Sequence, residues 1–484
     1  MIMQSSNKLD HFLMVLAAAM VAHRLLVIFY GSVPIDLEEA YYSSWRDTLD
    51  WGYYSKPPLL PFLLYLLSSV FGETYIVLKL FSLVFYTLSA VFVGMLGGDL
   101  FGKRLGLISA VVFLSLPFVA VLSFAATTDA PLVLFWGSGL WVFNKALSDK
   151  RLSYWLILGL IGGFGMLSKF TFALLPVGIL CFLTLSKHRH VFFEKGLWLS
   201  LVTAVIVWMP NLFWMSDHDW ITLAHTKDIS GVTDSVINFD TATQFLAEQF
   251  VVFGPLTMGA TLAALFALRS TNSSKNMLLL CVSLPLLLTI VIQSFRSDAN
   301  MNWAVPSYIG LTLLASVMAN KQIVFLFLLL FSNLAISSTI IHYDFLTKDM
   351  VFERKLHTDP FYRQRGWEEL GEKTSKLLVD FPNAKLLSSD RDILAYLRFH
   401  QKSSPKPKVA LWKPDGKWTS QYAIHQNISQ SPDGEFIWLS REKLSNSELS
   451  HFVTYSEMGE VSVDLVGRKP KVLFAYMVAD FKGY

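Results

Sequence analysis

Between His11 and Ile341 the chain alternates apolar runs of membrane-crossing length with short polar connectors, and that rhythm constrains the fold more than any other feature. A helix needs about 20 apolar residues to cross the hydrocarbon layer, and in lipid it satisfies its backbone polar groups internally. About eleven such runs are present, over approximately 11–30, 75–98, 105–123, 131–148, 154–168, 170–186, 197–215, 254–268, 277–294, 303–319 and 322–341. Residues 57–71 are apolar but shorter and follow Lys56 directly, which reads as an amphipathic helix lying at the membrane surface. Only 16% of the residues are charged, against ~25% in soluble chains, and the deficit is confined to the first part of the sequence. From His342 onward Lys, Asp, Glu and Ser are mixed throughout. The expectation is an all-α polytopic membrane domain over 1–341 and a water-exposed α/β domain over 342–484. Within the latter, 366–380 and 391–400 have helical periodicity, and 408–412, 435–439 and 472–477 read as short strands.

The first apolar run has no small-residue cleavage site after it and is read as a retained span. Both cysteines, Cys181 and Cys281, lie inside apolar runs as small packing residues. A net charge of +3 gives no reason to expect a nucleic-acid partner. The bilayer is the expected partner instead.

Orientation follows the cations. Lys8, Lys103-Arg104, Lys150-Arg151, Lys187/Arg189/Lys195, Arg269/Lys275 and Lys321 fall on alternate connectors, which should be cytoplasmic. An odd number of spans then puts the N-terminus inside and the C-terminal domain outside, in the periplasm of a bacterial inner membrane. The outer face carries the longer connectors 31–74, 216–253 and 295–302, rich in acids, aromatics, His and Asn.

Four outer segments hold residues suited to chemistry. The first holds three acids within four positions, Asp36, Glu38 and Glu39, before the aromatic stretch that runs to Lys56. Acids also stabilise a helix start, so a purely local role is the alternative. The second is Thr127-Thr128-Asp129-Ala130-Pro131, where Asp129 is either functional or a helix cap. In the third, Lys169 ends an apolar run and either binds something or snorkels to the interface. The fourth runs from Arg296 through Asn302 to Trp303. Charges near membrane depth are costly, so they tend to pair or to bind. Acids beside cations suit a reaction in which a carboxylate takes a proton while cations hold a departing phosphate.

These segments resemble the family 39-type glycosyltransferases. That group includes the dolichyl-phosphate-mannose protein mannosyltransferases and the bacterial lipid A aminoarabinose transferase, all of the GT-C membrane fold. The likeness begins in the run from Glu39 to Leu59 and continues through Thr127–Leu132, Gly165–Lys169, Asn211–Trp220, Gly254-Pro255, Asn302–Tyr308 and Arg365–Trp367. Alignment without gaps over Tyr41–Tyr54 puts Glu38 where the family usually has Asp, and Glu39 on the following Glu. The resemblance implies that Glu38 (or Asp36, two residues earlier) activates the acceptor hydroxyl, with Glu39 beside it. Asp129 falls on the second, supporting acid. Lys56 falls on a lysine that binds the carrier phosphate, with Lys169 and Arg296 as further cations. Tyr41, Tyr54, His218 and Asn302 join them as substrate-contacting candidates. Ser55 stands where the aminoarabinose transferase has a metal-binding Glu, which argues against a divalent metal; no cofactor is expected.

The activity implied is inverting transfer of a sugar from an undecaprenyl-phosphate-type lipid to an outer-face acceptor, whether lipid A, lipopolysaccharide, another glycan or a protein. Two rivals stand beside it. A lipid-linked sugar flippase should show internal repeats or broken midplane helices. A non-catalytic envelope subunit is suggested by the replacement of the family's Asp by Glu38.

Overall fold

The computed structural model describes residues 2–31, 33–230, 237–268, 273–347, 359–403, 406–465 and 469–484. It separates into two compact units. The first comprises Met1–Val33, Lys56–Leu60 and Thr74–His342. The second comprises Pro34–Ser55, Pro61–Glu73 and Tyr343–Tyr484. Two stretches of the long connector 31–74 therefore pack with the C-terminal region, whereas sequence alone assigned that connector to the membrane domain.

The first unit is helical. Among the described residues, five helices are long and apolar enough to cross a membrane: Lys8–Tyr30, Tyr75–Phe101, Lys195–Asp217, Ser274–Ser294 and Ile323–Ile341. The pair Phe239–Phe253 and Pro255–Ala267, bent by 102°, adds a sixth if it is one span. By length and composition five or six helices thus qualify, and the eleven runs read from the sequence are not all single helices of that kind. Residues 152–168, 170–185 and 305–319 form shorter apolar helices. The run 105–123 divides into Lys103–Ser115 and Pro117–Leu122. The cause of that division is local, because a residue before proline avoids the helical region and Leu116 sits at ψ 134°.

Breaking a helix inside an apolar unit strands its last carbonyls, which must find donors. Arg24, buried in the first helix, supplies them. Its Nη2 donates to the Leu114 carbonyl at 2.5 Å and its Nη1 to Ser123 Oγ at 3.3 Å. The other sharp bend has a different cause. Gly254 adopts φ +87°, and a Cβ there would lie 2.0 Å from Asn333 Oδ1. Pro255 then begins the next helix at a position that needs no N–H. Asn333 is itself buried, donating to Ser115 Oγ at 3.1 Å and Thr257 Oγ1 at 3.0 Å. Gly254→Ala is therefore expected to destabilise the protein by about 1–3 kcal/mol through backbone strain alone. Gly259→Ala, where the added methyl meets nothing within 4 Å, is the control and should be near neutral in the same thermal melt.

The second unit carries one mixed sheet of five strands, β1 Lys385–Ser388, β2 Val409–Leu411, β3 Glu435–Ser440, β4 Phe452–Val463 and β5 Lys471–Phe481, in the order β2-β1-β3-β5-β4. β1 runs parallel to β2 and β3, while β5 runs antiparallel to β3 and β4. The helices Trp367–Asp380 and Arg391–His400 are where the sequence periodicity puts them. β1 and β4 were not anticipated. Buried Arg398 ties the connector stretches to this unit. Its guanidinium reaches Glu73 Oε1 at 2.9 Å and Asp47 Oδ2 at 2.6 Å, and Glu73 also takes Arg46 at 3.1 Å. A cation so deeply buried is tolerated only when paired, and here the paired acids come from the residues before and after the short apolar helix Leu59–Phe71.

Candidate functional site

In the first unit the polar focus is Asp129, which opens the helix Asp129–Asp149 and is 3% exposed. Lys169 Nζ donates to its Oδ1 at 2.6 Å, and Asn302 Nδ2 donates to its Oδ2 at 2.7 Å. Lys169 reaches it because the helix Leu152–Ser168 stops one residue earlier and Lys169 itself is extended, at φ −163°. Asn302 comes from the segment between Ser294 and Val305. Both oxygens of Asp129 are thus engaged by side chains from two distant stretches of sequence, which is not the geometry of a helix cap. A carboxylate held this way fixes a lysine and an amide in place. To accept a proton it would have to give up an ammonium partner.

The other acids lie in the second unit, at the start of the helix Leu37–Ser44. Asp36 is the N-cap: its Oδ1 accepts from the Glu38 amide at 2.9 Å, and Glu39 Oε2 accepts from the Asp36 amide at 3.0 Å. This is a capping box, in which two orphan donors of a helix start are satisfied reciprocally. Asp36 Oδ2 also accepts from Gln364 Nε2 at 2.7 Å, and Glu39 is fully buried. Glu38 differs. Its side chain is 40% exposed and its Oε1 lies 3.9 Å from Arg391 Nη2, beyond hydrogen-bond reach. Arg391 stacks over the Tyr41 ring at 4.8 Å from its centroid.

The remaining sequence candidates divide by position. Tyr41 is buried in the second unit, where its hydroxyl accepts from the Gln421 amide at 2.6 Å. Burial raises its pKa from the ordinary value, so the phenol stays protonated. The Tyr54 amide donates to Gln421 Oε1 at 2.7 Å. The first bond engages the Tyr41 hydroxyl inside the second unit, whereas the second involves only the main chain of Tyr54. Lys56 belongs to the first unit and is half-buried. Arg296 is exposed, and among the described residues its guanidinium has no ion-pair or hydrogen-bond partner. His218 ends the helix Lys195–Asp217, with its ring stacked 4.0 Å from Trp214 and its Nδ1 2.8 Å from the Trp214 carbonyl oxygen.

Sequence reasoning passed over Gln364, Arg391 and Gln421, whose proximity to the first connector only the fold reveals. It also passed over Lys79, which is fully buried within the helix Tyr75–Phe101, its Nζ 5.3 Å from the Tyr75 ring centroid. A signal for Lys79 was present, since a lysine inside an apolar run is rare without a purpose.

Comparison with known proteins agrees with this architecture. The structure superposes on that of ArnT from Cupriavidus metallidurans, solved bound to undecaprenyl phosphate, with a TM-score of 0.65 over 95% of this chain and 97% of that one at 14% identity. The chain has the GT-C fold. Residues 55–214 match the family of dolichyl-phosphate-mannose-protein mannosyltransferases. Two proteins of Rhizobium johnstonii are similar in sequence. The lipid A galacturonosyltransferase RgtD is 27% identical over 60% of this chain and 62% of its own length. The lipopolysaccharide core galacturonosyltransferase RgtB is 26% identical over 63% of this chain and 64% of its own length. The match therefore spans less than two thirds of either relative.

Proposed function

We propose that this protein transfers a sugar, with inversion, from a polyprenyl-phosphate carrier to a lipid A or lipopolysaccharide acceptor at the outer face of a bacterial inner membrane. What carries the reading is the division of labour among the acids. Asp36 and Glu39 close a capping box, Asp129 is engaged by Lys169 and Asn302, and Glu38 alone presents a half-exposed carboxylate outside hydrogen-bond reach of its neighbouring cation. Support for the carrier comes from the fold shared with ArnT, and support for the acceptor from the names of the Rhizobium relatives. Those names favour a hexuronic acid as the sugar.

In this mechanism Glu38 takes the proton from an acceptor hydroxyl. The freed oxygen attacks the anomeric carbon from the face opposite the phosphate. The bond from that carbon to the phosphate oxygen breaks, its electron pair leaves with the polyprenyl phosphate, and the configuration inverts. Lys56 and Arg296 are assigned to the carrier phosphate. Lys169 is assigned to Asp129 instead, because its ammonium is already paired. The reading includes eleven crossings, a cytoplasmic N-terminus and a periplasmic C-terminal region, and it involves no cofactor or metal.

The test is to supply the purified protein, in lipid nanodiscs, with a polyprenyl-phosphate-linked hexuronic acid and lipid A. Release of polyprenyl phosphate together with a glycosylated acceptor supports the proposal. Movement of the intact lipid-linked sugar across the bilayer without cleavage overturns it in favour of a flippase. In the same assay Arg296→Ala should raise the KM for the carrier about tenfold, a modest loss for a charged contact because the residue is exposed. Arg296→Lys should fall in between, since an ammonium cannot reproduce a two-pronged phosphate contact.

A further inference from the structure

The helix Asp129–Asp149 has a second polar end. Lys145 stands sixteen residues beyond Asp129, or about 24 Å along the helix axis, which approaches the thickness of a hydrocarbon layer. A groove of about 540 Å³ opens there between this helix and the helices Tyr75–Phe101 and Lys103–Ser115, a size within the usual range for small-ligand sites.

The groove is built in two parts. At its polar mouth Lys145 Nζ lies 3.1 and 3.0 Å from the two oxygens of Asp99, and Trp141 Nε1 donates to the same carboxylate at 3.1 Å. Lys103 completes the mouth and, among the described residues, has no partner. Lys145 is held by Asp99, with Asp149 also acting on it, which leaves Lys103 as the cation of the mouth with no acid of its own among the lining residues. From that mouth an apolar trough runs inward past Met95 to Val91, about 12 Å along the helix from Asp99. Its walls include exposed Val91 and Met95. Its floor is smooth because glycines let two helices touch: a Cβ on Gly106 would lie 2.4 Å from the Gly94 carbonyl oxygen, whereas one on Gly98 would meet nothing within 4 Å.

We infer that this groove holds an anionic glycerophospholipid of the leaflet remote from Asp129. Lys103 faces the phosphodiester headgroup, Trp141 being held by Asp99, and the trough takes the first part of one acyl chain. A free phosphate ion would use that cation but has no need of the trough, and a zwitterionic lipid brings no net charge. Basic pockets between membrane helices recognise acidic headgroups through this combination.

Native mass spectrometry of the full chain, with phosphatidylglycerol or phosphatidylcholine as probe, tests the inference. Phosphatidylglycerol should be retained in preference. Lys103→Ala should weaken its binding about five-fold, the usual effect of one interfacial cation, without changing the melting temperature, because Lys103 is exposed and unpaired. Gly98→Leu, which fills the open trough and leaves both lysines in place, should weaken it at least as much. Equal retention of the two lipids overturns the site. So does unchanged phosphatidylglycerol binding in both variants. Loss in Lys103→Ala with full binding in Gly98→Leu, combined with displacement by inorganic phosphate, identifies a free-phosphate site and likewise overturns the lipid assignment.

Discussion

Asp129→Ala should destabilise the protein by about 3 kcal/mol, the lower end for a buried pair, because it leaves the partly buried Lys169 ammonium without its counter-charge. The comparison that makes this informative is the double variant Asp129→Ala/Lys169→Met. Replacing both members of a buried pair by apolar groups is often neutral, so the second substitution should restore much of what the first removes. A residue that merely caps its own helix costs only about 1 kcal/mol when lost, and a change at Lys169 would not rescue it. Thermal melts of the four proteins in the cycle separate the cases. Independent, additive effects would show that the 2.6 Å contact contributes nothing and that Asp129 is not an anchor. Asp129→Asn should be milder in stability, since an amide oxygen still accepts from Lys169. Its turnover then reports whether the negative charge itself is needed.

Where the sequence was legible, one residue type at one place had one physical explanation. Asp129, Lys169 and Asn302 each stand at the end of an apolar run, where a polar side chain is costly unless paired. Their meeting in one hydrogen-bonded set fits that cost. The helix Trp367–Asp380 was readable because it buries one face at helical spacing, through Trp367, Leu370, Gly371 and Thr374. Arg391–His400 shows that periodicity in its sequence but is buried continuously from Ile393 to Phe399. β4 was not readable, because its first eight residues after Phe452 are largely exposed and show no alternation to detect. β1 has only four residues, too few to distinguish from a turn of buried helix. The break after Ser115 was hidden for a different reason. Leu116 and Pro117 are both apolar, so hydropathy continues across a point where the backbone cannot remain helical.

The acids of the first connector mark the deeper limit. Sequence put Asp36, Glu38 and Glu39 together and left their roles open, because a capping box and a catalytic pair call for the same residue types at almost the same spacing. What separates them is which backbone amide each carboxylate meets, and that depends on where the helix begins. Gln364 and Arg391, which touch Asp36 and approach Glu38, lie more than 300 positions further along the chain. No local pattern announces such partners. They become visible only when Pro34–Ser55 folds against the C-terminal region as part of one unit.

Glu38→Gln is accordingly expected to lower kcat about 10²–10⁴-fold, the usual contribution of a general base, with little change in melting temperature because its carboxylate caps nothing. Asp36→Asn should leave turnover within a few-fold of the parent. Asn caps a helix about as well as Asp, its side-chain oxygen still accepts from the Glu38 amide, and only the contact with Gln364 must readjust. Glu39→Gln should also be mild, since Gln serves in a capping box as Glu does. Glu38→Asp is the most discriminating of the set. It keeps the charge but withdraws it by one methylene, and a misplacement of about 1 Å can cost roughly 100-fold. If the pocket is built around Glu, Asp at this position loses activity despite being the residue usual in the related transferases. Equal losses in Asp36→Asn and Glu38→Gln would mean that the integrity of the helix start matters rather than either acid. Normal turnover in both would remove the base from this helix altogether, leaving the acceptor hydroxyl to be activated by some other group.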